Sequence, residues 1–211
     1  MKHIMLLCVV ASGVLLTQCT KEPLDHLNAE ESRIYVTNYD TSAVFPAYKT
    51  YKIVDSVANI KDNQLQSKTL DNTDAQIIST VQHALSDRGF VPATGTGNAD
   101  LGVTVSTITN TSTQLVDYSN YGGYYGGYWD PFYWGYSDYA YNFPTYYGIY
   151  QTGETALSID IIDLKNAPQN GNQLDVVWSG LIRGTGIFSS ATIDNQIAAL
   201  FSQSPYLSSN Q

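Results

Sequence analysis

The sequence predicts an α+β fold: a mainly antiparallel sheet with two helices packed on one face as a two-layer sandwich, plus a long Tyr/Gly-rich loop. Three observations carry this. Several short segments alternate apolar and polar residues with period two, as half-buried strands do. Two longer segments repeat apolar residues at the helical period. One stretch is too rich in glycine for a regular helix and lacks the alternation of a strand. Alternating strands need one covered face, and two amphipathic helices can supply it.

Taken in order, Arg33 to Asn38 alternates through Ile34 and Val36, and Tyr48 to Val54 is rich in Tyr, Thr, Ile and Val, which suit a pleated surface. Thr73 to Arg88 reads as the first helix. Ile77, Ile78, Val81, Ala84 and Leu85 share a face, Thr73 with Gln76 forms a capping box, and Gly89 followed by Phe90 closes the C-terminus. His83 lies off the apolar stripe and reads as a solvated surface residue. Ala99 to Ile108 is a strand carrying Leu101, Val103 and Val105. Thr155 to Asp163 and Asp175 to Arg183 form a hairpin across a turn at Lys165 to Gln173 with Asn170-Gly171. The second helix runs from about Thr192 to Ser202, with Ile193, Ile197, Leu200 and Phe201 inward and Pro205 as its stop.

The stretch 118–150 is the outlier. It holds 12 of the 17 tyrosines, 6 of the 16 glycines and two of the three tryptophans, and its only charges are Asp130 and Asp138. Lying between two strands, it reads as a long insertion at one end of the sheet.

Ahead of the domain, the first residues read as a secretory leader. Lys2 and His3 precede an uncharged run from Ile4 to Leu16. That run of about 13 residues is short of the roughly 20 needed to span a bilayer core. The competing reading is a buried N-terminal helix or strand. Cys8 lies inside the run, and Cys19 follows Leu16-Thr17-Gln18. This arrangement resembles the lipobox of bacterial lipoproteins, which implies cleavage before Cys19 and a diacylglycerol on its thiol. Gln18 departs from the small residue usual at that place. The implied organisation is a signal peptide at 1–18, a lipidated N-terminus and polar tether at 19–32, and a domain at 33–211. Part of the tether is equally readable as a short surface helix. Extended, residues 20–32 give a reach of roughly 40 Å. Two or three acyl chains would make release from the membrane negligible, since each buried methylene contributes about 0.8 kcal/mol.

The chain of 211 residues is 43% hydrophobic and only 14% charged, so a substantial core is available. Its formal charge is −9, and losing the leader with Lys2 leaves −10. That balance argues against nucleic acid and against electrostatic docking on anionic headgroups.

Three groups of residues carry a family resemblance. They are Tyr39-Asp40 with Phe45 and Tyr48-Lys49-Thr50-Tyr51; Ala99-Asp100-Leu101-Gly102-Val103; and Gly153 to Asp163 with Val177-Trp178-Ser179-Gly180 and a helix ending at Ser204-Pro205. Over residues 34 to 207 the pattern resembles the bacterial lipoprotein family called domain of unknown function 4136. Trp178-Ser179-Gly180 stands where that family usually has Trp-Arg-Gly, and Thr155-Ala156-Leu157 where it has Gly-Thr-Leu. The resemblance implies an α+β domain on the outer membrane or periplasmic face and brings no catalytic residues.

Catalysis is not advertised. A Ser or Cys nucleophile needs a base in reach, and the mature chain retains only His26, in the tether, and His83. Asp160 and Asp163 are three apart on one strand and face opposite sides. Asp163 reads as opening a turn and Asp100 as starting a strand. Gly95-Thr96-Gly97 and Gly184-Thr185-Gly186 lack phosphate-loop spacing and read as turns. No cofactor and no metal ligands are expected.

The functional expectation therefore falls on the aromatic insertion. Flat rings with hydroxyls can stack on sugars or on a protein partner. The candidate surface is Tyr125, Tyr128, Trp129, Tyr133 and Trp134. Contact with an envelope protein, contact with a glycan or lipid headgroup, and a local hydrophobic cover folded back over the sheet all remain open. On the first reading, removing residues 119–149 leaves the domain folded.

Overall fold

Eleven strands and two α-helices are present in the computed structural model, which describes residues 32–62, 64–94, 99–109, 114–117, 129–143, 147–150 and 155–210. The chain divides into units Met1–Ser32 and Arg33–Gln211, and the fold is that of the second unit. The strands are β1 (Ile34–Tyr39), β2 (Thr50–Ile53), β3 (Val57–Lys61), β4 (Gln64–Thr69), β5 (Val91–Pro92), β6 (Leu101–Thr109), β7 (Gln114–Asp117), β8 (Ala140–Asn142), β9 (Tyr147–Tyr150), β10 (Thr155–Asp163) and β11 (Gln173–Arg183). The helices are α1 (Asn72–Ser86) and α2 (Ile193–Ser202).

The sheet centre is antiparallel, in the order β1-β11-β10-β6. The expected hairpin is β10 and β11, with a bulge between Ile161 and Ile162. Beyond β6 the sheet is mixed. Strands β2 and β3 lie end to end, both parallel to β6, and β5 adds in parallel to β2. A further short strand, β8, runs parallel to the start of β11. The parallel pairings were not foreseen, because crossover connections leave no short-range signal of the kind a tight hairpin turn leaves. Strand β4 is exposed along its whole length, so it lacks the apolar alternation that marks a strand in sequence. Strands β7 and β9 form a separate antiparallel pair.

Opposed residues in a ladder share a face. Leu101, Val103 and Val105 of β6 therefore stand with Leu157, Ile159 and Ile161 of β10 and with Trp178, Gly180 and Ile182 of β11. This face meets the helices. The Trp178 and Phe201 rings lie 5.1 Å apart, and the indole Nε1 of Trp178 donates to Ser204 Oγ at 2.9 Å. Burying a side chain of this size contributes more than the roughly 1.5–3 kcal/mol of a fully buried Leu or Phe. Gly180 makes this packing possible: a Cβ there would overlap the Trp178 ring and fall 2.8 Å from Leu200.

The N-cap of helix α1 lies two residues before the expected one. Its capping box is Asp71 with Asp74, correcting the expected Thr73 with Gln76. Asp71 accepts the Asp74 N–H at 2.9 Å, and Asp74 accepts the Asp71 N–H at 3.1 Å. Two carboxylates at the positive end of the helix dipole are better placed than a neutral Thr–Gln pair. The C-terminus closes as expected. Gly89, at φ +84°, donates to Ser86, and Phe90 donates to Leu85, a Schellman arrangement. His83 is exposed. The two helices are tied by Asp194, which accepts from Thr80 Oγ at 2.6 Å and Gln76 Nε2 at 3.1 Å. At the other end Arg88 donates to the carbonyls of Ala84 and Phe201, where the C-termini of both helices favour a cation.

Candidate functional site

Cys19, Tyr125 and Tyr128 lie outside the described residues. Of the other expected surface residues, Trp129 and Trp134 prove to be core: they are 1% and 7% exposed. Residues 129–143 of the insertion fold back over the sheet face opposite the helices. A Cβ at Gly102 would sit 3.2 Å from the Trp134 ring, which places that indole directly on β6. Trp134 Nε1 donates to the Tyr141 hydroxyl at 2.8 Å, and Tyr136 donates to the Leu164 carbonyl at 2.8 Å. Tyr133 stands edge-on to both indoles, with ring centroids 4.8 Å away in each case. The physical reason is area: a sheet face with small residues such as Gly102, Thr104 and Ser106 leaves room that large rings fill. Tyr133 remains part-exposed, with Lys52 Nζ 5.2 Å from its ring centroid. Lys68 Nζ lies 3.9 Å from the Trp129 centroid. The ring that does face solvent is Phe132, 69% exposed at the tip of the 3-10 turn Pro131–Trp134.

Asp160 belongs to this covered face. It is buried, and its carboxylate accepts from Ser179 Oγ at 2.5 Å and from Ser158 Oγ at 3.3 Å. Asp163 meets different partners at the strand's end. It accepts the Tyr48 hydroxyl at 2.8 Å and both the backbone and side-chain N–H of Asn166, at 2.9 and 2.6 Å. It opens the turn as its position suggests. Asp100, just before β6, accepts the backbone N–H groups of Lys49 and Thr50, fastening β2 to β6.

A cleft of about 470 Å³ opens at this turn end of the sheet. One wall is the segment after β1, with Asp40, Ser42 and Val44; the other is the β10–β11 connection, with Asn166, Gln169 and Asn170, continued by Asp175 at the start of β11. Tyr48, Asp163 and Val177 form its floor. Pairing of β1 with β11 brings the walls together, and the Asp40 N–H bonds to the Val177 carbonyl. Asp175 accepts from Asn142 Nδ2 at 2.7 Å and Asn170 Nδ2 at 2.6 Å. Asp40 accepts from the backbone N–H and hydroxyl of Ser42. Burial, reinforced by the Asp163 carboxylate, pushes the Tyr48 hydroxyl well above its ordinary pKa, so it stays a donor at neutral pH. The lining therefore offers many acceptors, several amides and an exposed branched aliphatic side chain at the rim, Val44.

Sequence reasoning did not find this cleft. Asp40, Asp163 and Asp175 are far apart in the chain, and only the strand pairing unites them. The one local signal was the Asn-rich turn between β10 and β11.

Residues 35–206 match the model of a family described as Domain of unknown function (DUF4136). A solved DUF4136 family protein from Bacteroides thetaiotaomicron is similar at 26% identity and TM-score 0.69, over 85% of this chain and 99% of that one. A PDZ domain protein from Parabacteroides distasonis is similar at 11% identity and TM-score 0.43, over 83% of this chain and 36% of that one. The PelC dodecamer from Paraburkholderia phytofirmans is similar at 15% identity and TM-score 0.40, over 85% of this chain and 99% of that one. No curated protein matches.

Proposed function

The chain belongs to the family described as Domain of unknown function (DUF4136), and on that premise we propose that it is a cell-envelope lipoprotein whose domain binds or scaffolds another envelope component without catalysis. Lipid on Cys19 holds it on the outer membrane. The anchor rests on the uncharged Ile4–Leu16 run and on Leu16-Thr17-Gln18-Cys19. Thr20 after the cysteine favours the outer membrane. The observation that carries the binding role is the cleft at the turn end of the sheet. Its carboxylates are acceptors and its amides both donate and accept. Such a lining suits a ligand rich in hydroxyl or amine donors, such as a cell-wall glycan. Each carboxylate is already held by neighbouring amides or hydroxyls, which supports holding a ligand over transferring protons.

The test is calorimetric titration of soluble cell-wall fragments against the protein and its Val44→Arg variant. Val44 is 63% exposed at the rim, so the variant blocks the cleft without disturbing the core. Binding by the native chain, weakened about tenfold in the variant, is expected. A flat titration of the native chain across fragments up to millimolar concentration sinks the glycan reading.

A second reading keeps the aromatic segment as a protein contact, now through Phe132. One observation favours it: a phenyl ring 69% exposed on a fixed turn, its N–H bonded to Asp130 at 2.9 Å. Phe132→Ala should leave stability unchanged and abolish recovery of a partner from native membranes. Identical recovery from variant and native chain ends this reading.

A further inference from the structure

We infer that β1 is a self-pairing edge through which two copies of this chain join their sheets antiparallel about Thr37. Edge strands are normally guarded by charge, proline, shortness or a bulge. The other margins of this sheet follow that rule. Strand β5 has two residues and one is Pro92, while β4 carries Lys68 and is bulged against β3 at Asn59/Ile60. Strand β8 has three residues. By contrast β1 is six residues, Ile-Tyr-Val-Thr-Asn-Tyr, with no charge, no proline and an unbroken register to β11. Ile34, Val36 and Tyr39 are exposed on it, and among the described residues no strand pairs with its outer side.

The phase of the ladder fixes how a second copy fits. The Asp40 N–H points inward to Val177, so Asn38, Val36 and Ile34 also direct their backbone groups at β11. The N–H and C=O groups of Tyr35, Thr37 and Tyr39 therefore point outward. A dyad through Thr37 pairs Thr37 with its own copy and Tyr35 with Tyr39 of the other copy, twice. That makes roughly six inter-strand bonds with every opposed pair on matching faces. The occupant is thus a second copy of the chain. The strand is its own complement in backbone hydrogen bonding and in the opposition of Tyr35 to Tyr39, and no separate partner is required.

The test is site-specific crosslinking of the full-length chain in its native membrane, with the unsubstituted chain as control for Cys8 and Cys19. In a hydrogen-bonded antiparallel pair the opposed Cα atoms are about 5.5 Å apart, within disulfide range. Thr37→Cys should give a covalent dimer on mild oxidation. Tyr35→Cys alone should not, because its copies stand roughly 13 Å apart along the strands. Tyr35→Cys combined with Tyr39→Cys should crosslink again. Protease resistance of each variant confirms folding, and Thr37→Cys sits on a part-exposed edge where the change is small. A folded Thr37→Cys chain that stays monomeric overturns the inference. So does equal crosslinking by the Thr37→Cys and Tyr35→Cys single variants, or an adduct whose mass is not twice the chain.

Discussion

Tyr48 shows how one side chain is set by sequence and structure together. Its place in a β-type segment was legible; its hydroxyl bond to Asp163 was not, since the two meet only through the sheet. The pKa of Tyr48 is raised by burial first and by Asp163 second, and that of Tyr141 by burial. A group whose folded pKa lies above its unfolded value contributes stability that is fully present below the unfolded pKa. That stability is lost as pH rises beyond it. The urea midpoint should therefore hold steady to about pH 9 and fall above about pH 10, the ordinary tyrosine value. Tyr48→Phe should lower stability by about 1–2 kcal/mol at neutral pH and make the alkaline fall shallower. An identical alkaline slope in both proteins would show that Tyr48 is not the titrating group. Gly180 is a second residue-scale case. Its sequence context marked a strand, but only the Trp178 ring packed over it explains the absence of a side chain. Gly180→Ala should cost about 1–3 kcal/mol by overpacking, measured as a drop in thermal midpoint.

At the scale of elements, strongly periodic segments were readable and weakly patterned ones were not. Helices α1 and α2, strand β6 and the β10–β11 hairpin stand where their apolar spacing puts them. The start of α1 was misplaced because a Thr–Gln pair competes with Asp71–Asp74 in sequence, and only backbone geometry chooses between them. Asp71→Ala should cost about 1 kcal/mol and Thr73→Ala less than about 0.5 kcal/mol, by chemical denaturation. The aromatic segment is the larger lesson. Sequence left a projecting contact loop and a hydrophobic cover over the sheet both open, and Trp129, Trp134, Tyr141 and Phe143 join the core against a sheet face of small residues, as the cover reading has it. Removing residues 119–149 should now unfold the domain, reversing the expectation of the protein-contact reading. Trp134→Ala alone should cost about 3–5 kcal/mol, against almost nothing for Phe132→Ala. Circular dichroism melts of the three proteins decide this, and a deletion variant that melts like the native chain would refute the core role of the segment.

For the whole molecule, fold and family were legible together, because spaced motifs such as Ala99 to Val103 and Val177 to Gly180 fall on adjoining strands. The cleft was not, because its carboxylates come from the segment after β1, the end of β10 and the start of β11, which converge only when β1 adds to β11. The account joins a lipid anchor at Cys19 to a domain that binds through that cleft, and the anchor is the half on which location and partners depend. The most direct measurement is the mass of the intact chain recovered from its native membrane, beside that of a Cys19→Ser variant. The account predicts a chain beginning at Cys19 with acyl groups attached, and no such species in the variant. A native chain that retains its leader, or is cut elsewhere and released unlipidated, would contradict it.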